Sequence, residues 1–439
     1  MNKFYTILLA AIASLFALSV NAQQLPDPGF ENWSKNFNDS KDGDMPQLAN
    51  WQPSNVTQTA LGIEFRFNLL HKEAGHTGSC AMVMNREVGA AGIFETAPAY
   101  FSTGQTWQFL NGLEVTKATA GTSGGVNFTY RPDSMEVWIK RTGDHWNDED
   151  FHILFYSWKG QSVGRTYQGK DGTCTDISVK SETDKYRYDE ESDIRQALDA
   201  NKCGIEKSAT QIAEGWLRDR KEYGDWTKIT IPIFYANDEK PEKCNVIFSS
   251  SNYPNFRANT GLFIGNALYI DDVRLIYTSK IDKLYIGGKE WKGFNPNSSE
   301  VQTFSVGKTA TSIPEIYGMR GAGKLTNARG ASANFPGRRL SASEMKITQA
   351  GEIDKTPTII EVTAEANDGV SPQTTTYKIQ FVSVQSSNAR LASISVNDEP
   401  LAGFNGYLGN YNVELPYGTT KAPVVTIDKS EDAQEVKIT

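Results

Sequence analysis

The sequence predicts an all-β protein, and three observations carry the prediction. Short runs alternate between apolar and polar residues, turn-forming residues separate those runs, and the last third of the chain repeats itself at a fixed offset. The alternation is plain in Met135-Glu136-Val137-Trp138-Ile139, His152-Ile153-Leu154-Phe155-Tyr156, Trp226-Thr227-Lys228-Ile229-Thr230-Ile231 and Asn245-Val246-Ile247-Phe248. From Gln23 to Tyr277 such runs predict a two-sheet β-sandwich of jelly-roll type. Trp138 and Trp158, lying within them, read as core. Between Asp189 and Trp216 the pattern changes: Ile194, Leu198, Ile212 and Trp216 fit helical spacing and predict short helices inserted between strands.

After Tyr277 tryptophan and cysteine become scarce and a repeat appears. Ile281-Asp282-Lys283-Leu284-Tyr285-Ile286, followed by Gly293-Phe294, matches Leu391-Ala392-Ser393-Ile394-Ser395-Val396, followed by Gly403-Phe404, at an offset of 391 − 281 = 110. The texture resembles bacterial immunoglobulin or cadherin-like sandwiches, which act as spacers or adhesive stalks. The predicted division is a signal peptide at 1–22, a jelly-roll domain at 23–278, an immunoglobulin-like β-sandwich at 279–385 and a partial second immunoglobulin-like repeat at 386–439. Counted from Leu391, the second repeat has 439 − 391 + 1 = 49 residues, less than half of the 110-residue offset, so the natural chain is expected to continue.

Composition narrows the function classes. The 439 residues carry 44 Lys and Arg against 52 Asp and Glu, a net charge of −8, which excludes a general nucleic-acid binder because counterion release needs a basic footprint. The length predicts two to four domains. Aromatic residues reach 11%, a surplus suited to thick sandwich cores or to stacking surfaces.

Lys3, the apolar run Ile7 to Val20 and the small-residue site Val20-Asn21-Ala22 read as a secretory signal. No later run is long and apolar enough to span a bilayer. The protein is therefore expected to be exported, to the cell surface, the periplasm or the medium. Export permits disulfides, and Cys174 and Cys203, bracketing a charged stretch with few apolar residues, are the candidate pair. Cys80 and Cys244 read as small buried hydrophobes.

The sharpest pair of motifs is Gly29-Phe30-Glu31 near the start of the first domain and Tyr269-Ile270-Asp271-Asp272-Val273 near its end. First and last strands of a jelly roll lie close together, so carboxylates from Glu31 and Asp271 can converge on one hard cation; a structural Ca²⁺ is the expected cofactor. Strict alternation points Asp271 and Asp272 to opposite faces, leaving only one of them to face the ion. This bracket resembles that of jelly-roll carbohydrate-binding modules. With Tyr130-Arg131-Pro132-Asp133-Ser134-Met135, Pro232-Ile233-Phe234-Tyr235, Glu239-Lys240-Pro241, Phe248-Ser249-Ser250-Ser251 and Ile264-Gly265-Asn266-Ala267-Leu268, the stretch from about 25 to 278 resembles the PCMD family of carbohydrate metabolism domains. That resemblance implies a jelly roll in an exported protein that handles polysaccharide.

A sugar site needs an aromatic ring against the apolar face of a pyranose and planar polar groups reaching its hydroxyls. The candidates are Trp107, Trp146, Trp216 and Tyr253 as rings, with Arg131 and Asn147 as polar anchors. Trp146 is favoured because it lies in the polar loop Gly143-Asp144-His145-Trp146-Asn147-Asp148. Arg131, held extended before Pro132, serves equally as a ligand anchor or as an inward ion pair. The expected function is non-catalytic recognition of a polysaccharide or glycoconjugate. One alternative is a glycoside hydrolase drawing two carboxylates from Asp144, Asp148, Glu149 and Asp150; the other is a surface adhesin that binds protein. His71, His76, His145 and His152 have no metal-ligand spacing, and no Gly-x-Ser-x-Gly elbow or phosphate-cradling loop is present.

Overall fold

The computed structural model describes the chain apart from residues 1–22, 34–47, 49, 61, 91, 112–113, 124, 161–165, 169–173, 177–209, 252–261, 327–331, 385–388, 432–433 and 438–439. The expected signal peptide, Ile194, Leu198, Cys203 and Tyr253 lie outside the described residues. Every regular element among the described residues is a strand, and none of them forms a helix long and apolar enough to cross a membrane. The described chain divides into two compact units.

The first unit is a sandwich of two antiparallel sheets. The strands of these two sheets are β1 (Gln52–Pro53), β2 (Leu70–Ala74), β3 (Ser79–Met84), β4 (Tyr100–Ser102), β5 (Val126–Asn127), β6 (Ser134–Thr142), β7 (Phe151–Lys159), β8 (Thr210–Asp219), β9 (Tyr223–Pro232), β10 (Phe234–Tyr235), β11 (Lys243–Ser249) and β12 (Ala267–Ile276); further two-stranded ribbons flank them. One sheet runs β1-β4-β11-β7-β8-β10, with β5 also paired to β11; the other runs β9-β6-β12-β3-β2. Apart from the β2–β3 hairpin, sheet neighbours are not joined by tight turns, as in a jelly roll.

Period-two alternation builds the core between the sheets. Met135, Val137 and Ile139 of β6 meet Ile153 and Phe155 of β7, Val246 and Phe248 of β11, and Leu268 and Ile270 of β12, all fully buried. Each such side chain contributes about 1.5–3 kcal/mol on leaving water. Phe30, Trp51, Phe101 and Phe248 form an aromatic nest at one end, with neighbouring centroids 5.2–5.5 Å apart for Phe30–Trp51, Phe30–Phe101, Trp51–Phe101 and Phe101–Phe248. Strand β7 is buried on both faces: Leu154, Tyr156 and Trp158 join Tyr100 and Ile247 in a second cluster, against which Trp216 packs. Trp158 is thus core, as expected. Trp138 is not: with Val137 and Ile139 turned inward, it faces outward and is half-buried.

The helix expectation fails where it can be checked. Ile212 and Trp216 lie on strand β8, paired with β7 from Asp219 to Thr210. Their four-residue separation suits a helix turn, but it suits a strand equally. A bulge at Ile212 then sends Ile212 and Ala213 into the main core while Trp216 joins the second cluster.

Residues 319–340 and 363–373 also belong to the first unit, which is therefore not confined to 23–278. Arg131 and Glu365 form a buried ion pair in which two guanidinium nitrogens share one oxygen, Arg131 Nε to Glu365 Oε1 at 3.1 Å and Arg131 Nη2 to the same oxygen at 3.0 Å. The Arg131 amide also donates to Glu365 Oε2 at 2.6 Å. Asp368 accepts from Tyr277 N, and Ala364 and Ala366 are buried in the main core.

The second unit comprises residues 283–318, 341–362 and 374–439. Val301–Gly307 runs parallel to Thr374–Val384, which continues through Thr358–Thr363 to Met345–Gln349 in one sheet. Phe304, Val306, Ile360, Val362, Tyr377, Ile379 and Phe381 are buried along this sheet. The 110-residue repeat is structural. Trp291 N donates to Leu284 O and Phe294 N to Trp291 O, while Leu401 N donates to Ile394 O and Phe404 N to Leu401 O. The tight turns match as well: Gly287 and Gly288 have φ of 59° and 80°, and Asn397 and Asp398 in the same places have 53° and 66°.

Candidate functional site

The residues expected to bind sugar are not brought together. Arg131 is 4% exposed and is the inward ion pair described above. Trp216 is half-buried with its ring edge-on to Tyr156, 5.8 Å between centroids. Trp107 lies on the strand Gln105–Asn111, its side chain outside the described residues, as is that of Cys174; Cys80 and Cys244 are free and buried. Trp146 is half-buried and Asn147 exposed in the β6–β7 loop.

That loop is stitched down by its acids. Glu149, 1% exposed, accepts from Asn85 Nδ2 at 3.0 Å, Asn266 Nδ2 at 2.7 Å and Phe263 N at 3.4 Å. Burial pushes its carboxyl up to about 7, although these donors and Arg141 oppose the shift. Asp150 is gripped by Arg218 Nε and by Arg220 Nε, and these guanidinium groups hold it below the usual carboxylate range against the cost of burial. Glu149 and Asp150 are buried, whereas Asp144 and Asp148 are exposed.

Two other features do converge, both on the five-stranded sheet. The first is a carboxylate cradle around the β2–β3 turn, Gly75-His76-Thr77-Gly78, closed by Gly75 N donating to Gly78 O at 2.9 Å. Phe30, at φ 52°, plunges into the aromatic nest and leaves the next residue, Glu31, pointing at the turn. Glu31 Oε1 accepts from Ser79 N at 2.8 Å and Asp271 Oδ2 from Thr77 N at 3.0 Å. Asp272 accepts from Thr77 Oγ1 at 3.0 Å, and its Oδ2 lies 2.9 Å from His76 Nδ1.

Alternation alone forbids Asp271 and Asp272 from sharing a target. A bulge in β12 permits it: Trp138 pairs with Asp271 and Glu136 with Arg274, so three steps on β12 oppose two on β6, with Asp272 at φ 46°. Burial raises the Asp271 carboxyl to about 6, opposed by the amides of Thr77 and Asp272 and reinforced by the Asp272 charge. The cradle leaves no room for side chains. A Cβ on Gly75 would stand 2.5 Å from Asp271 Oδ2 and 2.6 Å from Thr77 O, and one on Gly78 would stand 2.0 Å from Glu31 Oε1. Carboxylate and carbonyl oxygens crowding one turn form the donor set that a hard cation takes. Among the described residues no three His, Cys, Asp or Glu side chains close on one ion position, so backbone oxygens would have to complete the shell.

The second feature is an aromatic and cationic surface on the outer face of the same sheet. With Val137 and Ile139 in the core, Trp138 and Lys140 point outward, as do Trp226 and Lys228 on β9 and Tyr269 on β12. Lys140 stands opposite Tyr269 in register, and Trp138 opposite Lys228. The Lys140 ammonium sits 4.2 Å from the Tyr269 ring centroid and 5.5 Å from that of Trp226. Trp226 meets Tyr269 edge-on at 6.4 Å and His76 at 6.2 Å. His76, delivered by the cradle turn, stacks on Trp138. Sequence reasoning missed this face; the outward parity of Trp138, Lys140, Trp226 and Lys228 was the available signal.

No known protein family matches the chain, and no curated protein matches it either. Among solved structures it is similar to a protein provisionally assigned as a glycoside hydrolase from Bacteroides thetaiotaomicron VPI-5482, at 17% identity and a TM-score of 0.34, covering 59% of this chain and 73% of that one. A second protein with the same provisional assignment, from Bacteroides vulgatus ATCC 8482, is similar at 14% identity and a TM-score of 0.32, covering 56% and 96%. At these values the likenesses bear on neither the site nor its chemistry.

Proposed function

We propose that the protein is exported and binds carbohydrate, without turning it over, on the outer face of the five-stranded sheet. The supporting observation is the juxtaposition of Trp226, Tyr269 and the His76–Trp138 stack with Lys140 on one half-exposed face. Aromatic faces and edges accept the C–H surface of a sugar ring, while the Lys140 ammonium supplies donors for its oxygens. In the same reading Ca²⁺ is held by Glu31 and Asp271, with Asp272 and Thr77 O beside them; bound there it would fix the turn that carries His76.

The test is affinity electrophoresis against a polysaccharide panel with the purified protein and its Trp226→Ala and Trp146→Ala variants, each checked for retained folding. Loss of retardation in Trp226→Ala alone supports the sheet face. Loss in Trp146→Ala alone moves the site to the β6–β7 loop, and released reducing sugar makes the protein a hydrolase.

A further inference from the structure

We propose that the ligand is an acidic saccharide, whose carboxylate or sulfate is taken by Lys140 where it lies against Tyr269 and Trp226. The inference rests on the reading of this face as a carbohydrate site and goes beyond it by naming the charge of the sugar.

Lys140 is half-buried on a surface of rings and has neither an ion pair nor a hydrogen bond with any described residue. An ammonium carries three donors, and a ring face satisfies its charge without satisfying those donors. The acids around it are engaged elsewhere. Glu136 faces Lys228, 3.5 Å from its Nζ; Asp272 is taken by His76 and Thr77; Asp271 accepts from Thr77 N. Lys228, 48% exposed, stands opposite Trp138 and brings a second ammonium to the same face, its charge shared with Glu136.

The rest of the chain makes this local excess informative. At a net charge of −8 the protein repels polyanions in general, so attraction of an acidic glycan would have to come from this face. A neutral sugar gains nothing from an unpaired lysine that a Gln or Asn would not supply, whereas a carboxylate or sulfate gives the ammonium both a counter-charge and acceptors.

The experiment uses the full protein against acidic polysaccharides, each paired with its own neutral form: polygalacturonate with its methyl ester, glucuronoxylan with its carboxyl-reduced product, and chondroitin sulfate with its desulfated, carboxyl-reduced product. The expected result is at least tenfold tighter binding to the charged member of one pair. That preference should fall to within twofold in Lys140→Met, return in Lys140→Arg, and shrink in 0.5 M salt. Equal or tighter binding to the neutral members overturns the inference while leaving the carbohydrate reading standing, as does a preference that survives Lys140→Met. Binding to no member of any pair overturns both. Binding that survives Trp226→Ala, with Lys140→Met also silent, places the site elsewhere and overturns the inference.

Discussion

The imidazole of His76 lies flat on the indole of Trp138, with ring centroids 3.8 Å apart and planes 12° from parallel. One ring comes from a turn and the other from the middle of strand β6, so the stack ties the cradle turn to the sheet face. A stacked aromatic pair is worth about 0.5–1.5 kcal/mol beyond its buried area. Trp138→Leu removes the surface under His76 while Val137 and Ile139 keep the core side of the strand. It is expected to weaken glycan retardation in affinity gels about three- to tenfold with little loss of thermal stability; full retention of binding would show that His76 takes no part.

Calcium is expected to raise the melting temperature. A ligand held only by the folded state adds about 2.7 kcal/mol at a hundred times its dissociation constant. The increment should vanish with EGTA and in Glu31→Gln, which keeps the shape of the side chain and removes its charge. A melting curve indifferent to calcium removes the metal from the cradle.

The two glycines of the turn are expected to resist substitution unequally to others. In Gly75→Ala the new methyl carbon meets the Thr77 carbonyl, which is backbone and cannot swing aside; Gly78→Ala adds a φ of 57° to its clash with Glu31. Each should cost about 1–3 kcal/mol in urea unfolding. Gly92→Ala, with φ of 84° but nothing within 4 Å, should lie at the lower end of that range.

Glu149 predicts a pH dependence with a defined sign. Its folded carboxyl titrates near 7, above the ordinary value of 4.5, so between these pH values the folded state holds more protons than the unfolded one. Its contribution is fully present below about pH 4.5 and is lost as pH rises through 7, a change of roughly 3 kcal/mol at most. Asp150, held low, works in the opposite direction and is lost only in stronger acid. The measurement is therefore the difference between the wild type and Glu149→Gln in urea unfolding across pH 4.5–8: the wild type should lose stability relative to the variant, and parallel curves would refute the assignment.

Much of this architecture is legible in the residues. Alternation in β6, β9 and β12 gives the sheets, and the hydrogen bonds of Trp291 and Phe294 recur at Leu401 and Phe404 because the repeat preserves turn chemistry as well as apolar spacing. Glu31 and Asp271 both reach the β2–β3 turn, although Glu31 does so from coil ahead of the first strand. Asp272 was assigned to the wrong face because a bulge is a register event between two strands, invisible in either strand alone. Ile212 and Trp216 misled for a related reason, since a spacing of four is shared by helix and strand. The aromatic surface is hidden when Trp138 is read as core for lying within an alternating strand, because Met135, Val137 and Ile139 already claim the inward positions.

The buried pair between Arg131 and Glu365 bears on how such a protein can be taken apart and recombined. Residues 363–373 reach the first unit only after the chain has begun the second, so neither unit is a cassette that a single cut can release. A fragment ending at residue 278 would leave Arg131 buried without its carboxylate and Tyr277 N without Asp368, and would open the core where Ala364 and Ala366 pack. Genetic exchange that moves this sandwich intact into new proteins must therefore carry the chain at least through Gln373, and with it the stretches of the second unit that come before.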